Sequence, residues 1–521
     1  MKRIHACLLA ALCAMLLTAP VLAQGIPTEF QLRKAAVIAA DRPASNSAVE
    51  FLVRGDTLWV AGGKGLGYTA DNGSNWTHLG DSAPFSREDI AAIAAHGGEM
   101  WISLAGSEET DAGSLAKGLG LARSTDFGRS WTRIDQPMEA SDMSTYDISY
   151  GRNTIKALAV TTDINNITYD IAVTGKAVWI ASFAGGLRKS TDGGATFVPV
   201  ILPPDVLDTI APDDTLQFEL SPVNRPDLGL RESLNHRVFS VHNIGDDTLW
   251  VGTAGGINLS TDGGISWRKY SFNNQNEPIS GNFVVAIEHQ WVNGMLYVWA
   301  STVNALNPTE FRAVSFTTNM GASWTSTLRG EFANNIGFNG DVVYAATNSG
   351  VYRSDDAGKS WLGFSRFVDT RSRQVAADPA TYATAAVGST IWVAGADGLM
   401  YTRDDAEEFF GTRWTILRAA EAANTPDEAY AYPNPFSPDD EPCRIRFRSG
   451  AKGTVSIAIY DFAMMPVRTL LRNASRTPGI EHDEIWNGTN DSGARVANGV
   501  YYIQLTIDDR DPVWTKIVVL Q

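Results

Sequence analysis

The chain has 521 residues, more than one ordinary core holds, so at least two domains are expected. Its 15 Trp and 47 Gly, with only 19% charged residues, suit an all-β protein with many turns. A formal net charge of −16 argues against nucleic acid or an anionic membrane as a partner, because both need clustered Lys and Arg.

Residues 1–23 read as a secretory signal peptide: Lys2 and Arg3 open it, an apolar run covers 8–17, and Val21 and Ala23 sit at the small-residue positions before the cut. The run is too short to span a bilayer, and no later stretch has the length of a transmembrane helix. Cys7 and Cys13 leave with this segment, so the mature chain keeps only Cys443 and forms no intramolecular disulfide.

From about Ala48 to Ala419 one unit repeats. An apolar strand comes first, then a strand with a central aromatic, then a third strand, an eight-residue turn and a fourth strand. The aromatic strands are expected at 57–60, 100–102, 178–180, 248–251, 296–298, 343–345 and 391–393. The turn reads Ser/Thr-x-Asp-x-Gly-x-x-Trp. Its copies carry Asp71, Gly73 and Trp76; Asp126, Gly128 and Trp131; Asp192, Gly194 and Phe197; Asp262, Gly264 and Trp267; Asn319, Gly321 and Trp324; and Asp356, Gly358 and Trp361. A seventh copy at 402–406 lacks the glycine, and its tryptophan is delayed to Trp414. The short carboxylate accepts hydrogen bonds from nearby backbone N–H groups, Gly takes a positive φ, and the aromatic opens the next strand and packs onto its hairpin.

This turn resembles the Asp box, or BNR repeat, of sialidase-like propellers. The resemblance implies a β-propeller, and counting the aromatic strands gives seven blades over 24–419. The Asp boxes are read as structural. The glycine-rich stretch 62–67 lacks the order of a phosphate loop and is read as a blade turn. Long insertions at 104–117, 136–156, 199–235, 301–312 and 363–380 all fall, by this connectivity, on the face opposite the boxes. A ligand is expected there, near the channel, with Arg54 and Arg237 as candidate channel residues.

Sialidases of this repeat type would bring an arginine triad, a Tyr activated by a Glu, and an acid/base Asp. Their opening Phe/Tyr-Arg-Ile-Pro motif is not found; Arg33 and Arg42 stand in other contexts. Xyloglucanase-type enzymes pair two propellers, and one is present here. There is no H-E-x-x-H, no G-x-S-x-G and no cysteine cluster, and His236 and His242 are read as packed or solvated side chains rather than ligands. No catalytic residue, cofactor or metal is therefore expected. Asp-box propellers of the photosystem-assembly-factor and sortilin types instead imply a protein or peptide partner.

Residues 420–429 read as a linker and 430–521 as a small β-sandwich. The Pro-rich opening 431–438, the strand 454–460, the Asn/Asp/Gly turn 486–493 and the close 516–521 resemble a FlgD-like immunoglobulin domain. They also resemble the C-terminal sorting domains of type IX secretion. The resulting expectation is an all-β chain, a seven-bladed propeller followed by an Ig-like sandwich. It is secreted or held at the cell surface, monomeric, and binds protein or glycan without catalysis. The alternative is a glycoside hydrolase of sialidase or xyloglucanase type with a divergent active site.

Overall fold

Four consecutive strands form an antiparallel meander seven times, over 48–78, 89–134, 168–199, 238–270, 283–327, 333–364 and 381–417. The computed structural model describes residues 42–521 apart from 64, 80–84, 86–87, 111–112, 373, 377, 420–428, 440, 451, 479–480 and 509. The leader expected over 1–23 and nearly all of the 420–429 linker lie outside the described residues. The second strands, such as Thr57–Gly62 and Thr390–Gly395, are buried along almost their whole length. That is why they read as continuous apolar runs: a sheet covered on both faces needs no polar alternation.

The first strands touch in cyclic order, 48–54 with 89–96, then 168–173, 238–244, 283–292, 333–339 and 381–387, and the last returns to the first. Seven meanders standing around a common axis make a β-propeller. Each inner strand also carries a β-bulge near its start, seen as register shifts at Ala48/Glu50, Ile90/Ala92, Thr168/Asp170, Val238/Ser240, Val284/Ala286, Ala333/Asn335 and Thr381/Ala383. A bulge sharpens the local twist and re-aims the next side chain.

Two expectations about individual copies are corrected. In the fifth unit the ring aromatic is Trp299, not Tyr297: Val298 pairs with Thr317 just as Leu58 pairs with Thr69, which puts Trp299 where Trp59 sits. The hairpin of this unit is longer, Phe283–Val292 against Met295–Val303, and shifts the reading by two residues. The seventh turn does have its glycine. Gly411, at φ 80°, donates its N–H to Thr402 Oγ1 at 3.2 Å, and Trp414 follows three residues later as in every other copy. An insertion between Asp404 and Gly411 hid it.

The insertions are also more structured than loops. Residues 104–110 and 113–117 continue a strand pair, Glu99–Thr110 with Gly113–Ser124. Residues 145–150 and 153–158 form a hairpin that takes Glu219–Leu220 as a parallel third strand, and Thr209–Ile210 adds a fifth strand to the fourth meander. Ile155, Ala157, Ile210 and Leu220 join the core between the third and fourth meanders. This insertion does not stay on the face opposite the boxes. Tyr150 at its tip donates Oη–H to the carbonyl of Ile265, inside the fourth Asp box, at 2.7 Å. The hairpin runs down the outer rim because its apolar face is buried there.

Beyond 428, a three-stranded sheet (Ala429–Tyr432, Cys443–Arg448, Glu481–Trp486) faces a four-stranded one (Thr454–Tyr460, Pro466–Ser475, Gly499–Ile507, Val513–Val519). Alternate residues such as Ile445, Phe447, Ile457, Ile459, Ile503 and Leu505 fill the core between them.

Candidate functional site

The Asp boxes are spread around the ring. In the fourth copy, Asp262 Oδ1 accepts the N–H groups of Ile265 and Ser266 at 3.1 and 3.0 Å. Ser260 Oγ donates to the same carboxylate at 2.7 Å and accepts the Gly264 N–H at 2.9 Å. The copies at Thr69 and Ser190 repeat this arrangement. Hydrogen bonds from Ser130 hold the Asp126 carboxyl down to about 2; those from Ser360 do the same for Asp356. In the first six copies the residue before the box glycine shares its positive φ: Asn72, Phe127, Gly193, Gly263, Met320 and Ala357. Two successive left-handed residues make the primed turn of a tight hairpin.

Each box also reaches its neighbour. A Cβ on Gly128 would lie 2.6 Å from Trp59, on Gly194 2.6 Å from Trp101, on Gly264 2.4 Å from Trp179 and on Gly73 2.9 Å from Trp392. The box aromatic likewise packs on the preceding meander rather than only on its own hairpin. Trp76 meets Trp392 edge-on at 6.2 Å, Phe197 meets Trp101 at 6.4 Å, and Trp324 meets Trp250 at 6.1 Å. The fifth box differs, its Gly321 closing on Tyr270. Trp131 instead packs on Phe85, and Trp361 donates to Thr327 Oγ1 in the preceding meander. The boxes thus couple meanders in sequence around the ring. Asp262→Ala should leave the fold intact and lower the unfolding midpoint by a few degrees at most, since it removes exposed turn hydrogen bonds only. Calorimetry of the variant checks this.

Side chains converge elsewhere, on the inner strands. At their insertion-face end, Phe239 lies 5.5 Å from Tyr169, 6.4 Å from Phe183 and 4.6 Å from Phe283. Tyr169 and Phe239 are themselves the bulge residues of their strands. Arg237 stacks over Phe183 at 5.3 Å, donates Nε–H to the carbonyl of Pro222 at 2.7 Å and pairs with Glu232 at 2.7 Å. Tyr169, Phe183 and Phe283, gathered round the buried ring of Phe239, therefore line one arc of the mouth, with a guanidinium at its edge.

Below this arc lies a titratable layer. Glu50 Oε2 accepts the N–H of Ile93 at 2.9 Å, and Asp170 Oδ2 accepts that of Val241 at 2.8 Å, each bridging to the next inner strand. Burial raises the Glu50 carboxyl, and the Asp170 and Glu288 charges add to it. Burial lifts Asp170 to about 7. It lifts Glu288 to about 8, with Asp170 contributing. These three carboxyls come from the first, third and fifth meanders and feel one another across the ring centre. His242 Nε2 lies 2.6 Å from His289 Nδ1, and its Nδ1 lies 3.5 Å from Glu288. Burial, and then the neighbouring imidazole, push His242 down to about 3, and burial lowers His289 as well. The layer is thus held largely uncharged near neutral pH.

Arg54 and Arg237 belong to opposite ends of the ring. Arg54 closes its inner strand on the box side, where it donates to the carbonyl of Gly97 and lies 5.1 Å over Phe127 of the second box. The two arginines do not form one site. His236 lies in the short turn Leu234–His236, where burial, and then Arg188, lower it to about 4. Among the described residues, no group of three or more His, Cys, Asp and Glu has the geometry to hold a metal ion. The mouth aromatics and the layer beneath were missed from sequence because Tyr169, Phe239 and Asp170 sit in ordinary strand patterns; only the bulges bring them together.

No family profile and no curated protein sequence matches this chain. Solved structures with a similar fold include PorZ, a bacterial surface component of the type IX secretion system of Porphyromonas gingivalis. It is 12% identical, with 90% of this chain and 64% of that one covered and a TM-score of 0.41. This chain therefore spans under two thirds of the length of PorZ. YCF48 from Cyanidioschyzon merolae is 16% identical over 69% of this chain and 96% of that one, with a TM-score of 0.40. A structure of YCF48 bound to D1 peptide is 12% identical over 70% and 94%, with a TM-score of 0.41. Among the described residues, no helix is long and apolar enough to cross a membrane.

Proposed function

We propose that this chain is an exported, seven-bladed Asp-box propeller that binds a protein or glycan partner at its channel mouth and does not turn it over. The observation that carries the reading is the arc of Tyr169, Phe183 and Phe283, packed on the buried Phe239, beside Arg237. Rigid aromatic rings and an arginine are the residue types that dominate binding energy at interfaces, and stacked rings equally suit the apolar face of a sugar. The rings are held by neighbouring inner strands, so little order remains to be imposed on binding. The region 430–521 is read as a FlgD-like domain for sorting or attachment, and residues 1–23 as the leader that sends the chain out.

A second reading is favoured by one observation. Asp170 and Glu288, raised to about 7 and about 8, could hold a proton near neutral pH as a glycosidase acid must. The mature chain on a glycan panel that reads binding and cleavage together separates the two. Turnover lost in Glu288→Gln would establish the hydrolase. Binding without turnover, weakened about tenfold or more by Tyr169→Ala or Phe283→Ala and unchanged by Ile265→Ser on the box face, is the expected result. If no glycan binds, the same variants are compared for capture of cell-envelope proteins; equal capture by all of them would overturn the binding mouth.

A further inference from the structure

Among the described residues the ring closes without exchanging a strand. The four strands of the first meander come from 48–78 and those of the seventh from 381–417, so among these residues no hydrogen-bonded ladder joins the two. What lies at that seam is a buried polar junction. Asn46, 5% exposed, accepts the N–H of Gly398 on its carbonyl and that of Ala419 on Oδ1, both at 2.7 Å. Both partners belong to the end of the seventh meander. Its Nδ2 donates to Glu441 of the C-terminal region at 2.5 Å. One asparagine at the start of the ring thus reaches both the seventh meander and the domain that follows.

Beside it, Asp397 in the turn before Gly398–Arg403 is held by two arginines. Arg418, just past the last strand of the ring, is bidentate at 3.2 Å to each carboxylate oxygen. Arg444, on the C-terminal strand Cys443–Arg448, pairs with Asp397 Oδ2. The three side chains are only 2–3% exposed. Both guanidiniums also donate to the carbonyl of Val375, at 3.2 and 3.4 Å. Removing the C-terminal domain would withdraw one guanidinium from a buried carboxylate and the acceptor from Asn46 Nδ2. Undocking would return both charges to water, so what the contact supplies is the specific docked geometry: two guanidiniums on one carboxylate, with Asn46 Nδ2 and the Val375 carbonyl satisfied as well.

We infer that the C-terminal domain is the buckle of the ring: it docks on the seam through Arg444 and Glu441 and holds the first and seventh meanders together. It does so whether or not the connector is intact. A region read above as a sorting or attachment domain is on this account also part of the propeller's closure. The two roles differ in consequence, because a plain tag could be cut away without effect on the ring.

The test is made on the mature chain with a protease site placed within 420–428. After cleavage, the two fragments should co-elute at about 150 mM salt and melt in a single transition. Arg444→Glu, which sets a second carboxylate against Asp397, should release the C-terminal fragment. Amide exchange in the strands at 48–54 and 381–387 should then rise about tenfold or more, with no change between 238–244 and 283–292 on another side of the ring. Should Arg444→Glu fail to fold, Asn46→Ala in the uncut chain should raise exchange at the same seam. Separation of the wild-type fragments, or unchanged seam exchange once the domain is released, would overturn the inference.

Discussion

Replacing Trp392 by Ala should cost the protein about 3–5 kcal/mol, a deficit large enough to empty much of the folded population on mild warming. Trp392 is fully buried in the second strand of the seventh meander. It packs on Tyr401 of its own sheet at 4.8 Å and on Trp76 of the first meander at 6.2 Å. Among the described residues no strand crosses that seam, so this packing works together with the junction at Asn46. Gly264→Ala should lose a comparable amount, on the order of 3 kcal/mol, for two separate reasons. Its φ of 82° strains any Cβ, and that Cβ would stand 2.4 Å from the ring of Trp179. Ile265→Ala, one residue on and half exposed, is the matched control. Denaturant midpoints for the three variants check the argument. A Gly264→Ala protein as stable as the control would show that the box glycine does not gate the approach of neighbouring meanders.

Raising the pH from about 6.5 to about 8.5 should destabilise the protein, an effect carried by the channel carboxyls. Asp170 is raised to about 7 and Glu288 to about 8, and Glu50 is raised too. A folded acid with a raised pKa keeps a proton that the unfolded chain has released. Its stabilising contribution is complete below about pH 4 and is lost as pH climbs through the folded values. The histidines act in the opposite sense. His236 and His242 are lowered to about 4 and about 3, so their contribution is complete above about pH 6.5 and is lost as pH falls toward those values. Between about pH 4 and 6.5 the two sets offset each other; above that the carboxyls act alone. Asp126 and Asp356, held near 2, add a further loss of stability at the acid end. Melting curves across this range should therefore fall by several degrees on the alkaline side, and Glu288→Gln should flatten that limb. A flat or rising limb in the unmodified protein would refute the assignment of neutral carboxyls to the channel.

Much of the architecture was legible because it repeats. The apolar second strands and the Ser/Thr-x-Asp-x-Gly turns recur in the same order in every unit, so a doubtful copy could be read from its neighbours. Where the spacing changed, the reading slipped: Tyr297 stood in for Trp299, and Gly411 was overlooked behind an insertion. Both errors came from counting along the chain where pairing across the sheet decides position. The two candidate arginines part company for a related reason. Arg237, just before its inner strand, stands at the mouth, whereas Arg54 is the last residue of its inner strand and ends among the boxes.

The sequence by itself determined the local chemistry: which segments become strands, where turns need a positive φ, and that an all-β chain of repeated meanders would result. Those properties follow from side-chain periodicity and backbone sterics, which act over a few residues. Only the tertiary structure decided which repeats become neighbours at the seam, and so which carboxyls share the ring centre and which arginine closes on Asp397. Glu50 and Glu288, or Asp397 and Arg444, are far apart in the chain. The setting of the two glutamates depends on the closed ring and that of Asp397 on the C-terminal strand docked beside it, properties that no single repeat carries.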